Sequence, residues 1–133
     1  MRKWCILLSL LFATTCNADV EQWQEYEIHY TTFKSTLIPA KVATAHGITR
    51  SDRRIVTNIS IRKDNQAVAA ILTGTTRNLL SQLFQLNFVE VTEPGAIYYL
   101  ANQLIDEKDT LRFEVHLEIE EQSHKLSFTR QYH

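Results

Sequence analysis

The chain has 133 residues, 44% of them hydrophobic and 22% charged, enough to bury one compact core and too few for two domains. Its 14 Lys and Arg stand against 15 Asp and Glu, a formal net charge of −1. The composition therefore lacks the cationic excess by which nucleic-acid binders neutralise phosphate.

Met1-Arg2-Lys3 opens the chain with positive charge, residues 4–13 form an apolar run, and Cys16-Asn17-Ala18 sets small residues at −3 and −1 before Asp19. This is the three-part layout of a secretory signal peptide cleaved after Ala18. The run is about half the roughly 20 apolar residues of a spanning helix, so no transmembrane segment is expected in the mature chain 19–133. Cys5 and Cys16 leave with the leader, and the mature domain must hold together without a disulfide. Ala13-Thr14-Thr15 lacks the Leu at −3 and the Gly or Ala at −1 that lipidation at Cys16 would call for. Losing Arg2 and Lys3 leaves 12 basic side chains against 15 acidic ones, net charge near −3, which argues against docking on an anionic membrane.

Strict alternation predicts strands through most of the mature chain. Tyr26, Ile28 and Tyr30 share one face, opposite Glu25, Glu27, His29 and Thr31. Pro39 suits a first helical position, residues 40–46 a short helix, and Gly47 the position just past its end. Ile55, Thr57, Ile59 and Ile61 alternate with Val56, Asn58, Ser60 and Arg62, which predicts a buried face and a wet one. Asp64-Asn65 supplies a tight two-residue turn. Residues 68–77 and 96–104 are apolar on both sides and read as central strands. Leu79, Leu80, Leu83 and Phe84 fit a helical turn or a strand equally. Phe84, Leu86 and Phe88 alternate before Val89 and Val91 take the other parity, which predicts a bulge near Phe88. Glu93-Pro94-Gly95 and residues 106–109 are turns.

Leu111, Phe113, Val115, Leu117 and Ile119 alternate with Arg112, Glu114, His116 and Glu118, and Glu120-Glu121 then turn the chain. Pairing Leu117 with Leu126 sets Val115 against Phe128, Leu111 against Tyr132 and Glu118 against Lys125. That register places Arg130 on the apolar face opposite Phe113, where its stem is expected to snorkel off the sheet end rather than meet a buried carboxylate. About seven strands and one short helix predict an all-β fold, an immunoglobulin-like antiparallel β-sandwich without the Cys–Trp–Cys pattern of antibody domains.

Side chains able to do chemistry are sparse. Arg50, Arg53 and Arg54 could clamp a carboxylate or phosphate bidentately, and Arg77-Asn78 adds a second cationic, hydrogen-bonding pair if the fold brings both loops to one end. The five histidines, at 29, 46, 116, 124 and 133, show no metal-ligand spacing, so no metal or other cofactor is expected. No nucleophile elbow, zinc-protease motif or phosphate loop occurs, and three glycines in all leave no glycine-rich cradle. Of Tyr98-Tyr99, one is expected in the core and one on a surface patch.

Four segments, Ala45-His46-Gly47-Ile48-Thr49-Arg50-Ser51, Gly74-Thr75-Thr76-Arg77-Asn78-Leu79, Ala96-Ile97-Tyr98-Tyr99 and Thr110-Leu111-Arg112-Phe113, stand in that order behind the leader. Together they resemble domain of unknown function family 4426, small exported proteins of Gram-negative bacteria. The resemblance spans essentially the whole mature chain. It implies a periplasmic single domain of sandwich type and assigns no catalytic or binding residue. The expectation is a non-enzymatic interaction module that binds a periplasmic protein or envelope component through loop ends or an edge strand. The alternative is a small-anion or lipid-binding domain using Arg50, Arg53, Arg54, Arg77 and Asn78, and a third reading is an unrecognised hydrolase.

Overall fold

The computed structural model describes residues 19–106 and 108–132; the expected leader, its cleavage after Ala18 and Cys16 lie outside them. In chain order the strands are β1 (Asp19–Trp23), β2 (Tyr26–Lys34), β3 (Arg54–Lys63), β4 (Gln66–Ala67), β5 (Ile71–Arg77), β6 (Leu83–Leu86), β7 (Val89–Glu93), β8 (Ala96–Leu104), β9 (Asp109–Ile119) and β10 (Gln122–Tyr132). A 3₁₀ turn (Ser35–Leu37) and a short helix α1 (Ala40–Ala45) follow β2. One antiparallel sheet runs β1-β2-β3-β8-β7 with β4 beside β3, and the other runs β10-β9-β5-β6.

Alternating residues of the two inner faces make the core. Ile28, Ile55, Ile59 and Ile61 of the first sheet meet Leu111, Phe113, Val115, Leu117, Ile119 and Leu126 of the second, all essentially excluded from solvent. Each such side chain contributes about 1.5–3 kcal/mol of hydrophobic stabilisation. Phe113 and Phe128 stack with ring centres 4.6 Å apart, and Tyr30 closes on Phe128 at the same distance from the other sheet. Tyr99 is buried while Tyr98 lies on the opposite face.

The all-β sandwich matches the expectation, but it uses ten strands rather than about seven. Residues 68–77 do not form one strand: β4 ends in the first sheet, and residues 68–70 carry the chain to β5 in the second. The Ala70 amide donates to the Tyr99 hydroxyl at 2.8 Å and pins that crossing. The change of parity at Phe88 is likewise a crossing between β6 and β7, which belong to different sheets, and not a bulge. Phe88 packs so closely on Gly74 that an added Cβ would sit 3.2 Å from its ring, 3.3 Å from the Glu114 carbonyl and 3.3 Å from Leu86. Leu79 and Leu80 form a turn, and Leu83 begins a strand rather than a helix.

The last hairpin is shifted by two residues from the expected register. Leu117 faces His124, Leu126 faces Val115, Phe128 faces Phe113, Lys125 faces His116, Tyr132 faces Asp109 and Arg130 faces Leu111. Glu120 and Glu121 take φ of 47° and 70°, giving a two-residue turn whose twist suits a hairpin. A shift of two keeps every side chain on its expected face, because the side-chain period is two. Arg130 does leave the apolar face at the edge, its guanidinium 5.0 Å from the Phe128 ring centre and 5.6 Å from that of Tyr30. There it pairs with the exposed carboxylate of Asp19, joining the edges of the two sheets.

Residues 35–53 fold back over the outer face of the first sheet. Pro39 stands just before α1 rather than in it, and Gly47 takes φ +68° beyond its end. Ile38, Ala43 and Ile48 bury Val56 with help from Phe33 and Leu100. Val56 is therefore covered, against the expectation of a wet face there.

Candidate functional site

Strand direction sorts the polar side chains into two ends. At one end lie the turns at Asp64-Asn65, Pro94-Gly95 and Glu120-Glu121, so Asp64, Glu93, Glu120 and Glu121 gather there with Glu25. Lys63 pairs with Glu25 at 2.8 Å, and Arg62 donates to the carbonyls of Asn65 and Gly95, which ties these turns together. The Lys63 ammonium hydrogen-bonds to the Glu25 carboxyl and holds it below the usual carboxylate range. At the other end lie the start of β3, the ends of β5 and β8, and the starts of β6 and β9. There Thr76 donates to Gln103 across the core at 2.6 Å, and the Ile105 amide donates to the Arg53 carbonyl at 2.7 Å.

All five expected site residues fall at this second end, in two separate groups. Arg50 donates to the Thr36 carbonyl at 2.9 Å, and Ser35 and Ser51 lock the same loop through two hydrogen bonds. Arg54 lies opposite Leu104 and donates to Asn102 at 2.6 Å, its Nε buried without a partner. Arg53 lies between them on the loop into β3. Among the described residues no hydrogen bond or ion pair joins Arg50 or Arg54 to Arg77 or Asn78.

Arg77 and Asn78 begin a tightly built hairpin. The Asn78 Oδ1 accepts from the amides of Leu80 (3.0 Å) and Gln82 (2.9 Å), and its Nδ2 donates to the Gln82 Oε1 at 2.7 Å. Arg77 donates to the Ser81 carbonyl at 3.0 Å, and Ser81 sits at φ 63°. These polar contacts hold up Leu79, Leu80 and Leu83, which are 79%, 77% and 58% exposed. Such leucines normally pack inward, and among the described residues nothing covers them.

The second outer face of this end carries the charge. One cross-strand row runs Leu83, Arg77, Arg112, Thr129 across β6, β5, β9 and β10. Beside it a cavity of about 210 Å³ is lined by Arg77, Asn78, Leu79, Ser81, Thr110, Arg112 and Thr129. Arg77 and Arg112 are both exposed, and neither meets a carboxylate among the described residues. Glu114, next along this face of β9, is turned to His116 (3.2 Å) and Lys125 (3.7 Å). Sequence reasoning passed over Arg112, which looks like any wet-face residue of an alternating strand. Its position opposite Arg77 is set by long-range pairing.

A second cavity, of about 260 Å³, lies on the outer face of the first sheet under α1. Phe33, Ile38, Val42, Ile48, Tyr98 and Leu100 give it apolar walls, with His46 and Glu93 also lining it. Elsewhere His124 pairs with Glu21 at 2.6 Å and stacks on Trp23. The described residues contain no group of three or more His, Cys, Asp or Glu that could hold a metal ion. No described helix is long and apolar enough to cross a membrane.

A family model, "Domain of unknown function (DUF4426)", matches residues 20–133. The crystal structure of a DUF4426 family protein from Pseudomonas aeruginosa is 31% identical, with a TM-score of 0.79 over 86% of this chain and 93% of that one. A copper-bound variant of FetP from uropathogenic Escherichia coli is 10% identical, with a TM-score of 0.65 over 86% of this chain and 93% of that one. FetP "as isolated", expressed in the periplasm of E. coli, is 10% identical with a TM-score of 0.62, covering 86% and 92%. The FetP likeness is one of fold. Among the described residues no group of three or more His, Cys, Asp or Glu converges as a copper site would require. Among curated proteins none matches.

Proposed function

The chain belongs to the DUF4426 family, and we propose that it acts as a non-enzymatic binding module of the bacterial envelope. Its recognition surface is the end of the sandwich that carries the Asn78 hairpin. The observation behind this is the hairpin itself. Six hydrogen bonds through Arg77, Asn78 and Ser81 fix a turn whose outward cargo is Leu79, Leu80 and Leu83. Exposed leucines add no burial energy to the isolated domain, whereas a preformed apolar tip lowers the ordering cost of association. Among the described residues the cavity beside it is lined by arginines, threonines and a serine with no histidine or carboxylate, an arrangement for recognition rather than for proton transfer. Export to the periplasm is supported by the leader-like residues 1–18 and by the like fold of FetP, which was expressed in the periplasm.

The test is site-specific crosslinking in intact cells. A photoreactive residue at Leu80 is expected to yield a defined adduct with an envelope component, and one at Glu121, at the far end, to yield none. Equal adducts from both positions, or none from Leu80, would overturn the proposal.

A further inference from the structure

Two guanidiniums directly opposite on neighbouring strands repel each other, and cross-strand like charges destabilise a sheet. Arg77 and Arg112 hold that arrangement with no described carboxylate to relieve it, since Glu114 is engaged by His116 and Lys125. A tetrahedral oxyanion set between them would accept paired hydrogen bonds from both forks, with the Thr110 and Thr129 hydroxyls lining the same cavity. The site is also bordered by apolar surface. Leu83 continues the row of Arg77 and Arg112, and Leu79 lines the cavity itself. An anion that suits this place carries something apolar on the hairpin side.

We infer that Arg77 and Arg112 bind the phosphate of an anionic phospholipid while Leu79, Leu80 and Leu83 enter the bilayer interface. This rests on the hairpin end being the binding surface, and names its partner. Two modest signals, a shallow apolar insertion and a local basic site, together suffice for peripheral attachment. Of the carboxylates behind the overall negative charge, Glu25, Asp64, Glu93, Glu120 and Glu121 cluster at the opposite end, and Asp109, which lines the neighbouring cleft with Leu79, stands in that cleft beside Lys108. The eight residues of β9 from Arg112 to Ile119 set the arginines roughly 26 Å from the Glu120-Glu121 turn at about 3.3 Å per residue, about three times the Debye length of about 8–10 Å.

The test is sedimentation of the exported, processed protein with vesicles of phosphatidylcholine alone or mixed with phosphatidylglycerol. Inorganic phosphate is titrated separately and followed through the amide signals of Arg77 and residues 110–112. The mixed vesicles are expected to bind the protein and the phosphatidylcholine vesicles to leave it free. Arg112→Gln, which keeps the Arg77–Ser81 hydrogen bond, should weaken vesicle binding about fivefold, and Leu80→Ser should weaken it while leaving the phosphate-induced shifts unchanged. Equal binding to both vesicle types, or full binding by Arg112→Gln, would overturn the inference. Phosphate-induced shifts without any vesicle binding would assign the site to a soluble anion and overturn the lipid assignment. A Leu80 adduct with a protein in cells, alongside failed vesicle binding, would refute this inference alone and leave the binding-module proposal standing.

Discussion

Arg112→Glu should make the free protein more stable, an unusual outcome for replacing a surface arginine. In the native sheet Arg112 faces Arg77 directly across β9 and β5. A directly opposed like pair costs, and an opposite pair contributes, about 0.2–1 kcal/mol each. The exchange of one for the other is therefore worth about 1 kcal/mol once solvent screening at this exposed position is allowed for. For a domain of this size that corresponds to a rise of about 4 °C in the unfolding midpoint. Thermal unfolding at low and high salt, with Arg112→Gln beside it, checks the reasoning. The glutamine variant should show about half the gain, and added salt should erase most of both. A glutamate variant that melts lower than the native protein at low salt, or a gain indifferent to salt, would refute the picture of an unrelieved cationic pair kept for a ligand.

Phe113→Ala removes a fully buried ring stacked at 4.6 Å on Phe128; denaturant unfolding should show a loss of about 3–5 kcal/mol. Asn78→Ala deletes three side-chain hydrogen bonds of the leucine hairpin, so hydrogen exchange at the Leu80 and Gln82 amides should quicken while the core amides keep their protection. Burial pushes the phenols of Tyr30, Tyr99 and Tyr132 above their ordinary value of 10.0. The folded state thus holds these protons to higher pH than the unfolded chain, and the associated stability is intact below pH 10 and lost as pH rises through the raised values. Phenolate absorbance and denaturant midpoints measured together across that range should show these tyrosines ionising late and stability falling with pH. Unchanged stability across the range would contradict it.

Much of the sandwich is legible in the alternation of β2, β3 and β9, because one face of each is largely buried and the period of two records it. The turns at Asp64-Asn65 and Pro94-Gly95 are legible from turn chemistry, and the one at Glu120-Glu121 only as a charged pair between two alternating runs. Alternation does not say which sheet a strand joins, so the crossings at residues 68–70 and 87–88 read as a continuous strand and as a bulge. Nor does it fix register when a shift of two preserves both faces. The positive φ of Glu120 and Glu121 decided that, and neither residue type advertises it. Strand β1 escapes because Asp19–Trp23 lies on an edge with little buried surface. In the candidate site, Arg77 and Asn78 stand out locally as a cation beside a capping amide. The dense run from Arg50 to Arg54 stands out more, yet Arg50 supports its own loop and Arg54 binds Asn102. Arg112 gains its meaning only from Arg77 across the sheet.

Hydrogen exchange on isolated envelope fractions tests the central claim, that recognition takes place at the hairpin end, most directly. Mixed with those fractions, the protein should exchange more slowly at residues 78–83 and 110–112 and at an unaltered rate around Glu120 and Glu121. Protection centred on that opposite turn, or no protection at the leucine hairpin, would contradict it.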